Sequence, residues 1–174
     1  MEKQNIAKEP LLALIHEVDT HLQNKIDLYA VGGTAMTLLN LKASTKDIDF
    51  NVDSKDAKEF KTALAKTIHG YRIDLYFDGM IFTQQLPTDY TDKAIPIKEK
   101  FNKINLYSIH PVDIIVSKIG RLNDRDFEDI KDCITKYKLT VKQIQERGNQ
   151  VIYAGNEDNY KYNLKDVITK MFKK

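Results

Sequence analysis

The chain has one cysteine, Cys133, no tryptophan and only four prolines among its 174 residues. A single cysteine excludes an internal disulfide, and nothing beside Cys133 marks it as a nucleophile, so helix packing is its expected role. No apolar run approaches the ~20 residues that a membrane-spanning helix needs. Met1-Glu2-Lys3-Gln4-Asn5 is polar and lacks a signal-peptide pattern. These absences predict a cytoplasmic protein with no membrane partner. An excess of one charge is missing too: the formal net charge is +2, too small to argue for nucleic acid. His16, His21, His69 and His110 lack zinc-ligand spacing.

What the chain does have is 42% apolar and 30% charged residues, enough for a real core under a well-solvated surface. Lysines gather at 93, 98, 100 and 103, and again at 161, 165, 170, 173 and 174. Either group suits a phosphate backbone, although a solubilising face is the simpler reading. Tyr153, Tyr160 and Tyr162 near the second group read as packing residues.

Periodicity predicts a mixed α/β (α+β) fold with a C-terminal helical region. Apolar residues from Leu11 to Leu22 make a helical stripe, with Pro10 in its first turn. Strand, helix and strand follow through Val52. Ser54 reads as the N-cap of a helix reaching His69. Tyr71–Phe77 and Met80–Leu86 read as a hairpin turning at Asp78-Gly79. After a short strand at Ile104–Tyr107, helices are expected at 111–122, 124–137, 140–147 and 164–172, with a surface loop at 155–159. His110, ahead of Pro111, is expected to cap a helix. The expected organisation is a core over 1–110 and a helical region over 111–174, packed as one compact unit.

Two short segments carry the chemistry. Leu28-Tyr29-Ala30-Val31 reads as a buried strand ended by Gly32-Gly33-Thr34, where a helix begins. A helix N-terminus attracts phosphate through its unpaired N–H groups and partial positive charge. In Asp47-Ile48-Asp49-Phe50-Asn51-Val52, strand alternation sends Asp47 and Asp49 to one face and Ile48, Phe50 and Val52 to the other. Adjacent carboxylates repel unless a cation or proton relieves them, and Mg²⁺ commonly takes one or two carboxylates plus phosphate oxygens. Asp74, in Tyr71-Arg72-Ile73-Asp74-Leu75-Tyr76-Phe77, is the expected third carboxylate, flanked at i±2 by Arg72 and Tyr76. Asp27 and Asp78, at strand ends, read as turn residues.

Val31-Gly32-Gly33 followed by Asp47-Ile48-Asp49 resembles the signature of the nucleotidyltransferase superfamily of DNA polymerase β type. More narrowly, Ile109-His110-Pro111 through Lys118 and Arg121, then Arg125-Asp126-Phe127-Glu128-Asp129, resembles the AbiEii-type branch, which includes type IV toxin–antitoxin toxins. The resemblance implies NMP transfer from an NTP substrate to an acceptor hydroxyl, with Mg²⁺ or Mn²⁺ as cofactor. It implies that Gly32, Gly33 and Thr34 hold phosphates, that Asp47, Asp49 and Asp74 bind metal, and that Asp74 activates the acceptor. Lys118 becomes a triphosphate contact, and Asp126 its orienter or that of the base, with Asp129 as the other acidic member. An RNA acceptor, such as a tRNA 3′ end, and a cognate antitoxin or other partner protein follow from the same resemblance. The competing expectation is a non-catalytic nucleotide-binding or antitoxin-type module with the same fold.

Overall fold

The computed structural model describes residues 4–173; Met1–Lys3 of the polar N-terminus and Lys174 of the second lysine group lie outside the described residues. The elements run β1 (Ile6–Ala7), α1 (Lys8–His21), β2 (Ile26–Ala30), α2 (Gly32–Leu38), β3 (Ser44–Thr45), β4 (Ile48–Val52), α3 (Ala57–Ala65) and β5 (Ile73–Phe77). They continue with β6 (Met80–Ile81), β7 (Gln84–Gln85), α4 (Tyr90–Lys93), β8 (Ile95–Pro96) and β9 (Ile104–Ser108). The chain closes with α5 (Pro111–Lys118), α6 (Asp124–Tyr137), α7 (Val141–Gln150), β10 (Ile152–Tyr153) and α8 (Glu157–Phe172). Mixed sheets with flanking helices make this an α/β protein, as the periodicity predicts. None of the described helices is long and apolar enough to cross a membrane.

The chain divides into two compact units: residues up to Asp78 together with Ala94–Ser108, and Gly79–Lys93 together with the chain from Ile109 onward. The division is not a single cut near residue 110, because β6 pairs with β7 and β7 with β10, not with the strands of the first unit.

The first unit is built on a five-stranded sheet of order β5-β4-β2-β9-β8. β4 runs parallel to β5 and β2 parallel to β9, while β2–β4 and β8–β9 are antiparallel. One sheet face is apolar, as alternation requires: Leu28, Ala30, Ile48, Phe50, Val52 and Leu106 are buried. α1 and α3 pack against each other, and the Phe60 ring of α3 meets Phe50 edge-on at 6.1 Å. Burying an aromatic or aliphatic side chain of this size contributes about 1.5–3 kcal/mol. A buried carboxylate ties α1 to the strand entering β9: Asp19 accepts N–H groups from Asn102, Lys103 and Ile104 at 2.7–2.8 Å. Nothing in the residue pattern around Asp19 marks that role.

Several boundaries differ from expectation for identifiable reasons. α3 starts at Ala57, not beside Ser54, because Asp53 closes a local turn by accepting from Lys55 N–H at 3.0 Å and Asp56 N–H at 2.9 Å. It ends at Ala65, leaving Ile68 93% exposed instead of on the helical stripe. Asp78 and Gly79 have the positive φ values of a turn, but no hairpin forms there: β5 pairs with β4, and β6 with β7. The expected loop at 155–159 is largely the start of α8, where Asn156 caps the helix by accepting Asn159 N–H at 3.0 Å.

In the second unit, α5 packs on α6 and α7, and α7 on α8. Every residue of α5 is buried. Cys133 packs in the interior from α6. Tyr160 is buried, lies against Tyr153 with the rings tilted at 5.2 Å and donates its hydroxyl to Val116 O at 2.9 Å, so it packs as expected. Burial and nearby charge push its phenol pKa well above the ordinary value. Lysines of the second group are partly paired within α8: Lys161 with Glu157 and Lys170 with Asp166.

Candidate active site

The glycine turn and the first carboxylates form one corner of the first unit. β2 ends at Ala30, Val31 serves as N-cap, and α2 starts at Gly32 with φ of +54°. That left-handed conformation is readily available to glycine and strained for most other residues. A Cβ on Gly32 would stand 3.6 Å from Asp49 Oδ2, so this carboxylate lies against the turn. At Gly33 the space is closed: a Cβ would fall 2.7 Å from Thr45 Oγ1.

Hydroxyls stitch the turn to β4. Thr34 Oγ1 accepts Asp49 N–H at 2.9 Å and donates to Asp47 O at 3.3 Å. Thr45 Oγ1 also donates to Asp47 O, at 2.8 Å, and Val31 N–H donates to Asp49 O at 3.1 Å. Thr34 is fully buried, and its side chain holds the corner together. Thr45 carries no motif signal; its importance arises from the close approach of Gly33, which sequence spacing alone does not reveal.

Asp49 and Asp74 are register partners on the parallel strands β4 and β5, as are Ile48 with Ile73 and Phe50 with Leu75. Asp47, just before β4, is two residues from Asp49 and half-buried like it. Asp74 is 33% exposed in its side chain and pairs with Arg72 Nε at 3.1 Å. An ion pair this exposed contributes at most about 1 kcal/mol, yet it offsets repulsion between Asp74 and Asp49. Among the described residues, no three His, Cys, Asp or Glu side chains gather as a ready-made metal cluster. The chemistry of the donors would still suit a hard cation: Asp47 and Asp49 offer carboxylate oxygens on the strand beside the glycine turn, and Mg²⁺ commonly takes one or two carboxylates.

Lys118, Asp126 and Asp129 meet in the second unit. Lys118 Nζ lies 2.9 Å from Asp129 Oδ2 and 3.4 Å from Asp126 Oδ1, with all three side chains buried. Arg121 binds both oxygens of Asp126, at 2.9 and 2.6 Å. Asn123 and Asp126 exchange hydrogen bonds as a capping box that starts α6. Burial pushes the Asp126 pKa up, but the hydrogen bonds from Arg121 and Asn123 and the charges of Lys118 and Arg121 outweigh it, leaving the carboxyl below its ordinary range. A further buried pair joins α5 to α7: Arg147 grips both oxygens of Asp113 and reaches Asp89 at 2.7 Å.

A family model described as a nucleotidyltransferase of unknown function (DUF6036) matches residues 9–173, nearly the whole chain. No curated protein and no solved structure matches it.

Proposed function

The chain belongs to this nucleotidyltransferase family, and on that premise we propose that it transfers NMP from an NTP to an acceptor hydroxyl with a divalent cation. The observation that carries this reading is the corner itself: Asp49 lies against Gly32 and stands in register with Asp74. Backbone N–H groups of Gly32, Gly33 and Thr34, in the first turn of α2, would donate to the polyphosphate. Asp47 and Asp49 are the residues that would hold Mg²⁺ or Mn²⁺, with Asp74 as the ligand of a second ion. The bound metal supplies charge neutralisation at the phosphoryl oxygens. Asp74 takes the proton of the acceptor hydroxyl as its oxygen bonds to the α-phosphorus and the bond to the departing pyrophosphate breaks. Lys118, as triphosphate contact, and Asp126, as its orienter, belong to the same proposal. So do an RNA acceptor, a cytoplasmic setting and an antitoxin partner.

A second reading, nucleotide binding without transfer, draws on the Arg72–Asp74 ion pair, which occupies the carboxylate meant to act as base. Incubation with each labelled NTP, Mg²⁺ and total RNA, beside Asp49→Ala, separates the two. Label transferred by the wild type and lost in the variant supports the enzyme. Equal transfer by both rejects the assigned site. Mg²⁺-dependent NTP binding without transfer favours the second reading.

A further inference from the structure

The sheet face that carries the carboxylates continues past them. Asp74 and Tyr76 are two residues apart on β5, as are Asp49 and Asn51 on β4, so all four project from one face. Register arranges them as a rectangle, with Asp49 opposite Asp74 and Asn51 opposite Tyr76. Its sides are ~4.8 Å between strands and ~6.6 Å along them. The outer row runs on across the sheet from Asn51 to Tyr29 and from Tyr29 to Tyr107. The rings of Tyr29 and Tyr107 stack at 5.1 Å, with 17° between their planes. Asn51 and Tyr29 are buried, whereas Tyr76 is half-exposed, like Asp74 beside it. In this row Tyr76 is the accessible aromatic beside the carboxylates, two residues beyond Asp74; Tyr107, also half-exposed, lies at the far end of the row.

We propose that Tyr76 contacts the nucleoside of the bound NTP. The inference rests on the nucleotide reading above. With the phosphates at Gly32–Gly33 and the reacting phosphorus at Asp49 and Asp74, a nucleoside that follows the carboxylate face meets the Tyr76 row next. The step from the carboxylates to that row, ~6.6 Å, is comparable with the distance from an α-phosphorus across its ribose to the base. A phenol gives a base a stacking face and a ribose a hydrogen-bonding hydroxyl, and such stacking accepts every base. The competing explanation for Tyr76 is packing alone, since aromatics favour strands.

Inorganic tripolyphosphate separates these explanations, because it has the phosphates and no nucleoside. Calorimetry with Mg²⁺ measures its binding, and that of each of the four NTPs, to the wild type, Tyr76→Ala and Asp49→Ala. The proposal expects Tyr76→Ala to weaken the best-bound NTP about tenfold and to leave tripolyphosphate within about twofold. Tripolyphosphate binding also reports that the variant is folded. If melting shows that Tyr76→Ala does not fold, Tyr76→Leu, which keeps apolar bulk on the strand, makes the same comparison. Equal weakening of both ligands in a folded variant, or of neither, overturns the role of Tyr76. If Asp49→Ala loses the Mg²⁺ dependence while the Tyr76 variant changes nothing, the nucleotide reading stands and only the Tyr76 role falls. A wild type that binds neither ligand sinks both.

Discussion

The Asp49 carboxylate and Gly32 share one corner: Oδ2 lies 3.6 Å from where a Cβ on that glycine would stand. The two residues are far apart in sequence, yet Val31 N–H donates to Asp49 O and the Thr34 hydroxyl accepts Asp49 N–H. The turn and the carboxylate strand therefore move as one body. Breaking these links would let the turn shift relative to the carboxylates, and for the proposed reaction a misplacement of ~1 Å would cost about 100-fold in rate.

Gly33→Ala tests that coupling. Its Cβ would meet Thr45 Oγ1 at 2.7 Å, forcing Thr45 away from Asp47 O, which it binds at 2.8 Å. The expected cost is about 1–3 kcal/mol of stability, read as a lower Tm, together with weaker NTP binding. Thr45→Ala removes the obstacle. The double variant is expected to be more stable than the sum of the single effects, by about 0.5 kcal/mol or more.

Asp74→Asn is expected to keep NTP binding and lose NMP transfer by about 10²–10⁴-fold, the range for removing a general base. Binding by calorimetry and single-turnover transfer give the two readouts. An unchanged rate removes Asp74 from the mechanism. Arg72→Met, which deletes the partner of Asp74, is expected to change stability by less than about 1 kcal/mol.

What sequence could and could not supply follows from the physics of each element. α6 is observed at Asp124–Tyr137, as expected, because its signals are local: Asn123 and Asp126 form a capping box. The faces of β4 were equally legible, since alternation needs no partner. Strand pairing was not. Asp78-Gly79 has turn geometry, which suggested a hairpin, but pairing depends on distant strands, and β5 joined β4 in parallel. That register brought Asp74 beside Asp49, a relation that the spacing of the two segments leaves open. The Thr34 and Thr45 hydroxyls and the Arg72 side chain complete the site through contacts with no pattern in the residues. Glu157-Asp158-Asn159 looked like a loop, but polar residues also favour the first turn of a helix, and there they start α8.

Lys118→Met removes the cation between two carboxylates in the second unit. Asp129 loses its 2.9 Å partner, and Asp126 keeps Arg121 but loses Lys118. Breaking a buried pair from one side costs about 3–5 kcal/mol, so a large fall in denaturation midpoint is expected. Adding Asp129→Asn removes the charge that faced Lys118 and is expected to recover part of the loss. Without that recovery, the Lys118–Asp129 pair is not what holds α5 to α6.

His110 gives the first turn of α5 a pH dependence. Its Nδ1 accepts Val112 N–H at 3.1 Å, which requires an unprotonated nitrogen. Burial lowers its pKa from the ordinary 6.5, with Asp113 opposing and Lys93 and Arg147 reinforcing the shift. The folded protein therefore binds this proton less readily than the unfolded chain. By linkage, the stabilisation is fully present above pH ~6.5 and is lost as pH falls through the lower folded value. His110→Asn keeps a side-chain acceptor that cannot titrate, so its stability is expected to vary less with pH in that window, by denaturant titration at a series of pH values. His110→Ala, with no cap at all, is expected to lose about 1 kcal/mol even at neutral pH. Parallel profiles for the wild type and His110→Asn would mean that this imidazole does not contribute to the acid sensitivity of the fold.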